Sequence, residues 1–503
     1  MSAKLPEPDA VARAHSQKVV AHVRDLLDKN GGWLSLRDYM QAVLYAPGLG
    51  YYMAGAQKFG DGGDFVTAPE LSPLYAQIWA TPINEAMQRS APTMLELGGG
   101  SGVFAAQLLR QLQAMKGLPE RYAILELSPT LRARQRQTLS DECPDLLSCV
   151  EWWDHLPDVF AGVVFMNEVL DAIPPRVIER AGEVWREHGV TFDGERFVAA
   201  SQPLSDPALL ALAASRFPEQ GDYVAELNVA GEALLETLGR SLTAGSTLFI
   251  NDYGFERGDT LPAHYARGTL RAYYQHRVLD DPLLWPGLLD ITYHVDFVAM
   301  AEAAQRGGLT LASFQTQGEF LQRHGILDAL ARCVGNCNAG NNNAENDNAA
   351  AEAAYLSAAK AVRTLIDPDA MGGIFKVAEF RLPPNTKRKY QPKQWRIFAD
   401  TDNERPFDSN IVGLTKNDEV SDFSGRAILI KEGDYLYLYM DCGNGDCIFS
   451  EGLVIKNPYP TKPYKWCCKL SGEIEYMSEY EGRFSDEEKR VVCGRKESKN
   501  MTN

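Results

Sequence analysis

No stretch of about 18 consecutive apolar residues occurs in the 503-residue chain, so nothing in it reads as a membrane-spanning helix. Positive charge is also scarce: 50 Lys and Arg stand against 67 Asp and Glu, a formal balance of -17. Phosphate binding needs a dense basic stripe, and without one a nucleic-acid partner is disfavoured against a protein or a small molecule. Residues Met1 to Asp9 have neither the apolar core of a signal peptide nor the Arg-rich pattern of a transit peptide, so the expected location is cytoplasmic. The nine cysteines are odd in number and unevenly spread, which for most of the chain suits a reducing compartment. Residues 255–318 are rich in His, Tyr and Arg, but no Cys or His spacing there resembles a zinc site, and no metal is expected.

What is present centres on Thr93-Met94-Leu95-Glu96-Leu97 followed by Gly98-Gly99-Gly100-Ser101-Gly102. A buried strand runs into a glycine turn, and Phe104, Leu108, Leu112 and Met115 then recur on one helical face. Glycines let such a turn take backbone angles closed to other residues and let a ligand approach the main chain. A dinucleotide-binding turn would want Gly or Ala where Val103 stands. Glu96, just before the glycines, instead resembles the first motif of class I S-adenosylmethionine methyltransferases, where the turn holds the methionine moiety. Tyr122-Ala123-Ile124-Leu125 closes on Glu126, an acceptor for ribose hydroxyls. Gly162 to Met166 ends in Asn167-Glu168-Val169-Leu170-Asp171, polar groups at the edge of an α/β sheet where ligands sit. Trp152, after the expected third strand, offers a ring to stack on adenine, with core packing as the alternative. Thr247 to Gly254 reads as one more strand reaching the same edge.

Residues 1–90 read as helical and loop-rich. Val19, Val20, Val23, Leu26 and Leu27 form a buried helical stripe, and Tyr45 to Tyr52 and Gly60 to Glu70 form a Gly-, Pro- and aromatic-rich lid. The segments Gly63-Asp64-Phe65-Val66-Thr67-Ala68-Pro69-Glu70, Leu95 to Gly102, Ile124 to Leu131 and Asn167 to Pro174 together resemble the MidA family. Gly268 to Tyr273, Asp290 to Phe297 and Asp367 to Val377 extend the resemblance over roughly residues 10–382. It implies a seven-stranded class I methyltransferase (Rossmann-like) sheet with helical additions, and S-adenosyl-L-methionine as cofactor. It also implies an arginine of a protein as acceptor, in mitochondrial members with a role in assembling respiratory complex I, so that a respiratory complex subunit is one candidate substrate. Thr67, Glu96, Gly98, Gly100, Gly102, Glu126, Trp152 and Asn167 are the candidate cofactor-binding residues.

Methyl transfer needs a nucleophile held in line and water excluded, not a covalent intermediate. For a guanidinium acceptor, carboxylates should clasp and orient it, and Glu168 and Asp171 are the candidates. His294 is a candidate proton acceptor. A small-molecule methyltransferase would share the same cofactor site, as would an assembly chaperone without turnover. Within the expected core, 91–382, the Asn- and Ala-rich tract at about 334–352 reads as a flexible surface loop. Residues 383–389 read as a linker, and 390–503 as a small β-rich domain that the resemblance does not cover. There Tyr435, Tyr437 and Tyr439 alternate with Leu436, Leu438 and Met440 ahead of a Gly443 to Asp446 hairpin turn. Cys442, Cys447, Cys467, Cys468 and Cys493 lie in it, as a zinc knuckle, a cross-strand disulfide or plain buried thiols.

Overall fold

Seven strands follow one another across the main sheet, β1 (Thr93–Leu97), β2 (Arg121–Leu125), β3 (Val150–Trp153), β4 (Val163–Asn167), β5 (Thr247–Phe255), β6 (Thr310–Thr316) and β7 (Phe375–Arg381), and the short strand Val295–Asp296 pairs with the end of β5 as an eighth. Their order across the sheet is 3-2-1-4-5-7-6. β1 to β5 are parallel, and β7 enters antiparallel between β5 and β6. The computed structural model describes residues 6–54, 67–217, 221–257, 267–279, 281–338 and 344–383. Beyond these it describes 397–400, 406–408, 411–421, 427–432, 435–441, 447–458, 464–470 and 475–477. The chain divides into two compact units, Met1–Pro384 and Asn385–Asn503.

The inner strands β1, β4 and the first part of β5 read as near-continuous apolar runs because both faces of the sheet are covered there. In β4, Val163 and Phe165 belong to the core on one face, Val164 and Met166 to the core on the other, as the two-residue period of a strand requires. The first core is closed by the helices Pro73–Arg89 and Val103–Ala114. At its centre the fully buried Trp79 meets Phe165, Phe249 and Phe320 with ring centroids 4.2 to 5.5 Å apart. The second core is closed by Val229–Ser241 and Phe297–Arg306.

Residues 1–90 do not form one entrance segment. Pro73–Arg89 is part of the central core, whereas Ala10–Lys29 and Leu36–Tyr45 pack elsewhere, against an antiparallel sheet built from Arg176–Ala181, Val184–Phe192, Phe197–Pro203 and Tyr223–Leu227. The three-stranded sheet of Arg271–Tyr274, Arg277–Leu279 and Asp290–Thr292 joins this second lobe. The lobe matters to function because residues from its helices and from the three-stranded sheet reach the carboxyl edge of the main sheet. The Gly60 to Val66 part of the expected lid lies outside the described residues.

The Asn- and Ala-rich tract departs from expectation. It falls largely within two helices, Ile326–Asn338 and Ala344–Ile366, with 339–343 outside the described residues. Alanine is the strongest helix former, and the second helix is anchored downstream by buried Val362 and Leu365, so local propensity and tertiary packing agree there. Trp152 and Trp153 lie within β3 rather than after it.

The C-terminal unit is β-rich. Its sheet runs Ile397–Asp400, Tyr435–Asp441, Cys447–Lys456, Trp466–Leu470, Ile411–Thr415 and Pro406–Asp408, with Glu475–Met477 paired to Cys447–Lys456. Tyr435–Asp441 and Cys447–Lys456 pair antiparallel around residues 442–446, which lie outside the described residues, and Leu436 and Leu438 point into the core. Cys467 and Cys468 are both buried thiols, and among the described residues no His, Cys, Asp and Glu cluster could hold a metal. Cys442 and Cys493 lie outside the described residues.

Two measurements test this organisation. Trp79→Ala removes the ring on which three others converge and should lower the unfolding free energy by about 3–5 kcal/mol in a denaturant titration. A chain ending at Pro384 should remain soluble and bind cofactor, as judged by calorimetry; precipitation of the shortened protein would show the second unit to be part of the core.

Candidate active site

The crevice of an open α/β sheet opens where the strand order reverses, here between the carboxyl ends of β1 and β4. A cavity of about 910 Å³ lies there. Its walls come from the glycine turn after β1, Glu126 after β2, the Asn167 to Pro174 loop after β4, and Tyr253 on β5. The second lobe adds Gln41, Tyr45, Tyr52, Tyr273, Asp290 and Thr292.

Of the residues singled out from sequence, Thr67, Glu96, Gly98, Gly100, Glu126, Asn167, Glu168, Asp171 and His294 all line this one cavity. Thr67 stands at the start of the short helix Ala68–Leu71, where its hydroxyl makes no capping hydrogen bond. Gly100 sits in the turn at φ 51°, in the left-handed region that disfavours a branched side chain. Two candidates do not reach the cavity wall. Gly102, at φ 85°, precedes the helix Val103–Ala114, and a Cβ there would lie 2.9 Å from the Gln135 Cα, so this glycine serves close packing of the helix Pro129–Glu142. Trp152 faces the helical core instead of the cavity: the Arg136 guanidinium covers its ring at 4.5 Å, and its Nε1 donates to Gln135 Oε1 at 2.9 Å. Stacking on an adenine is therefore not its place.

Gln135 is a residue that sequence reading missed. Fully buried, it donates from Nε2 to the Gly100 carbonyl and to Glu126 Oε2, both at 3.1 Å, and so ties the glycine turn to the acidic end of β2. Ser128 N–H holds the other oxygen of Glu126 at 2.9 Å. At the third corner Asn167 accepts from Tyr75 and from Asn251, each at 2.8 Å, and donates to Glu168 at 3.1 Å.

The electrostatics of the cavity are one-sided. Glu70, Glu96, Glu126, Glu168, Asp171 and Asp290 line it, and among the described residues no Lys or Arg does. Burial pushes Glu96 up to about 7, against a stabilising 2.8 Å hydrogen bond from the Tyr122 hydroxyl. Burial, with the neighbouring Asp171 and Asp290 charges, pushes Glu168 up to about 8. Asp171 rises through burial to about 6, with Tyr253 pulling partly the other way. Its Oδ1 is buried without a hydrogen-bond partner. Asp290 accepts from the Tyr52 hydroxyl at 2.5 Å. A buried acceptor left unsatisfied is costly, so this wall is shaped for a ligand that brings donors and positive charge.

The strand order, the glycine turn and the acidic residue closing β2 define a class I S-adenosylmethionine methyltransferase. Comparison with known proteins then places the chain within it: it belongs to a family described as S-adenosyl-L-methionine-dependent methyltransferases, whose profile matches residues 76–315. Protein arginine methyltransferase NDUFAF7, mitochondrial, of Homo sapiens is 30% identical over 331 residues, 59% of this chain and 71% of the relative. Its Rattus norvegicus counterpart is 29% identical over 348 residues, 62% and 76% of the two chains. A candidate methyl transferase of Burkholderia thailandensis, solved bound to S-adenosyl-homocysteine, is 41% identical with a TM-score of 0.68, covering 75% of this chain and 95% of that one. S-adenosylmethionine is the cofactor of this enzyme. No helix among the described residues is long and apolar enough to cross a membrane.

The raised carboxylates make stability depend on pH in an unusual direction. Each binds its proton more tightly folded than unfolded, so the folded state is favoured at low pH and loses that advantage as pH rises through the folded value. Between about pH 4.5, the ordinary Glu value, and about 8, the melting temperature of the ligand-free protein should fall. Glu168→Gln should flatten the upper part of that slope in a thermal scan; an unchanged slope would mean that Glu168 is charged throughout the range.

Proposed function

We propose that this enzyme methylates an arginine nitrogen of a protein substrate. The observation that carries the reading is the carboxylate-lined cavity, without a Lys or Arg among its described lining residues, in which the buried Asp171 Oδ1 lacks a partner. A cationic acceptor supplies both the missing charge and the missing donors, and a guanidinium does so with fixed, bidentate geometry. The relatives named protein arginine methyltransferases support the same acceptor.

The residues present fit the cofactor. The glycine turn, with Gly98 and Gly100 bare of side chains, leaves room for the methionine end, and Glu126, already gripped by Ser128 and Gln135, is fixed as an acceptor for ribose hydroxyls. Thr67, Glu96 and Asn167 line the same wall. When bound, S-adenosylmethionine supplies an electrophilic methyl group on a positively charged sulfur.

Glu168 and Asp171 then clasp the guanidinium and hold one nitrogen towards that methyl group. Once it carries the methyl group, the acceptor nitrogen has a proton to give up. The cavity thus passes from two cationic groups to one cation and a proton. Glu168, which without a cation beside it retains a proton up to about pH 8, is suited to take the proton as positive charge leaves, and His294 on the same wall offers a second acceptor.

The test is label transfer from methyl-labelled cofactor into cell lysate, located by mass spectrometry. Glu168→Gln and Asp171→Asn should abolish arginine labelling while cofactor affinity stays within about twofold, because their partner is the acceptor. Gly100→Val and Glu126→Ala should instead weaken cofactor binding by about 1 kcal/mol or more in calorimetry. Label found only on small molecules would make this a small-molecule methyltransferase. Cofactor binding with no label anywhere would indicate a chaperone.

A further inference from the structure

The loop that carries Glu168 and Asp171 does not hold its own shape. Glu168 lies at φ 54°, in the left-handed region, which a residue with a side chain occupies at a cost of about 1–3 kcal/mol and keeps only where its surroundings impose it. The imposing contacts come from side chains far away in sequence. Asp252 Oδ2 accepts the backbone N–H groups of Val169 at 3.2 Å and Leu170 at 2.9 Å, while its Oδ1 accepts the N–H of Tyr253 at 2.9 Å. The Leu170 carbonyl accepts from Asn228 Nδ2 at 2.9 Å. The Tyr293 hydroxyl lies 2.9 Å from both the Leu170 and the Ile173 carbonyls. Tyr45 donates to the Ala172 carbonyl at 2.8 Å, and the Glu168 N–H donates to the Asn251 carbonyl at 2.9 Å.

Asp252 and Tyr293 are each 1% exposed, and neither lines the cavity, so they act on a ligand only through the loop. Three N–H groups converge on Asp252, and only a carboxylate accepts all three: an amide of the same size must turn its NH2 group towards at least one of them. We propose that Asp252, seconded by the Tyr293 hydroxyl, is the positioning residue of the acceptor site. It fixes residues 168–171 in the conformation that turns both Glu168 and Asp171 into the cavity. The proposal rests on the reading of those two carboxylates as the acceptor clasp. It accounts for a carboxylate buried beside two others at an electrostatic cost: the loop's own bond from the Ile173 N–H to the Leu170 carbonyl, 3.3 Å, leaves the Val169 and Leu170 N–H groups to Asp252.

The test uses the full chain, with Asp252→Ala, which removes the acceptor of both loop N–H groups, and, as a variant that leaves ring packing intact, Tyr293→Phe. Labelling of lysate proteins from methyl-labelled cofactor should fall about 100-fold for Asp252→Ala, the scale of a misplacement of about 1 Å. For Tyr293→Phe it should fall about tenfold, as for loss of one hydrogen bond. In both variants the dissociation constant for S-adenosyl-homocysteine should stay within about twofold, since the glycine turn and Glu126 are untouched. Hydrogen exchange read by mass spectrometry should quicken at Val169 and Leu170 in Asp252→Ala and stay unchanged across Thr93 to Phe104. Loss of cofactor affinity in parallel with labelling, in both variants, would make these residues general supports of the fold and overturn the inference. So would unchanged labelling, or unchanged exchange at Val169 and Leu170. If the wild-type chain labels no protein arginine, the arginine reading fails instead, and the exchange measurement still decides whether Asp252 fixes the loop.

Discussion

Everything at the working edge of this protein follows from carboxylates gathered around a cavity that has no Lys or Arg among its described lining residues. Elsewhere the chain pairs its buried charges: Arg216 and Glu232 meet in a bidentate bridge, and Arg176 is held by Glu187. At the cavity that solution is withheld. Glu96, Glu126 and Glu168 there accept hydrogen bonds from neutral donors such as Tyr122, Gln135, Ser128 and Asn167, and burial raises all three in pKa, with Arg132 pulling Glu126 partly the other way. The site is thus poised for ligands that carry the positive charge with them, which is the condition of both a sulfonium cofactor and a guanidinium acceptor.

The sheet supplies one side of that arrangement and the second lobe the other. Parallel strands end in loops on one edge, so the glycine turn, Glu126 and the Asn167 loop are brought together by the topology alone. The side that the proposal assigns to the acceptor needs more. Its carboxylates sit on a loop with a strained residue, and the side chains that hold the loop arrive from Leu36–Tyr45, from the start of Val229–Ser241, from the end of β5 and from the segment after Asp290–Thr292. The insertions that build the second lobe therefore do more than enlarge the protein. They deliver Tyr45, Tyr52, Asp290 and Tyr293 to a site that the bare sheet would leave open to water.

How much of this was legible in the sequence depends on the range over which each feature is encoded. The glycine turn, Glu96, Glu126 and the Asn167 to Asp171 loop were readable because strand, turn and polar residue are contiguous, and the parallel sheet brings separate strand ends to one place. Trp152 was misplaced because the residue lies inside a strand whose facing only the sheet register decides, and that register turns it to the helical core. Gly102 was grouped with the ligand glycines, although its constraint is the approach of a helix that begins 27 residues later. The Asn- and Ala-rich tract was judged by complexity when helix propensity was the better guide. Gln135, Asp252 and Tyr293 carry no local signature at all: their partners are backbone groups 35, 82 and 123 residues away.

The same range argument explains why the acceptor is harder to read than the cofactor. The cofactor turn is a local backbone shape, which only certain residue types permit, so sequence records it directly. On the reading proposed above, acceptor choice resides in the balance of charge within a cavity whose walls come from most of the length of the first unit. No single wall residue is distinctive. Tyr52, Asp171 and Asp290 could each be an ordinary polar residue, and only when folding places them around one volume, with one carboxylate oxygen left unpaired, does the missing cation become apparent.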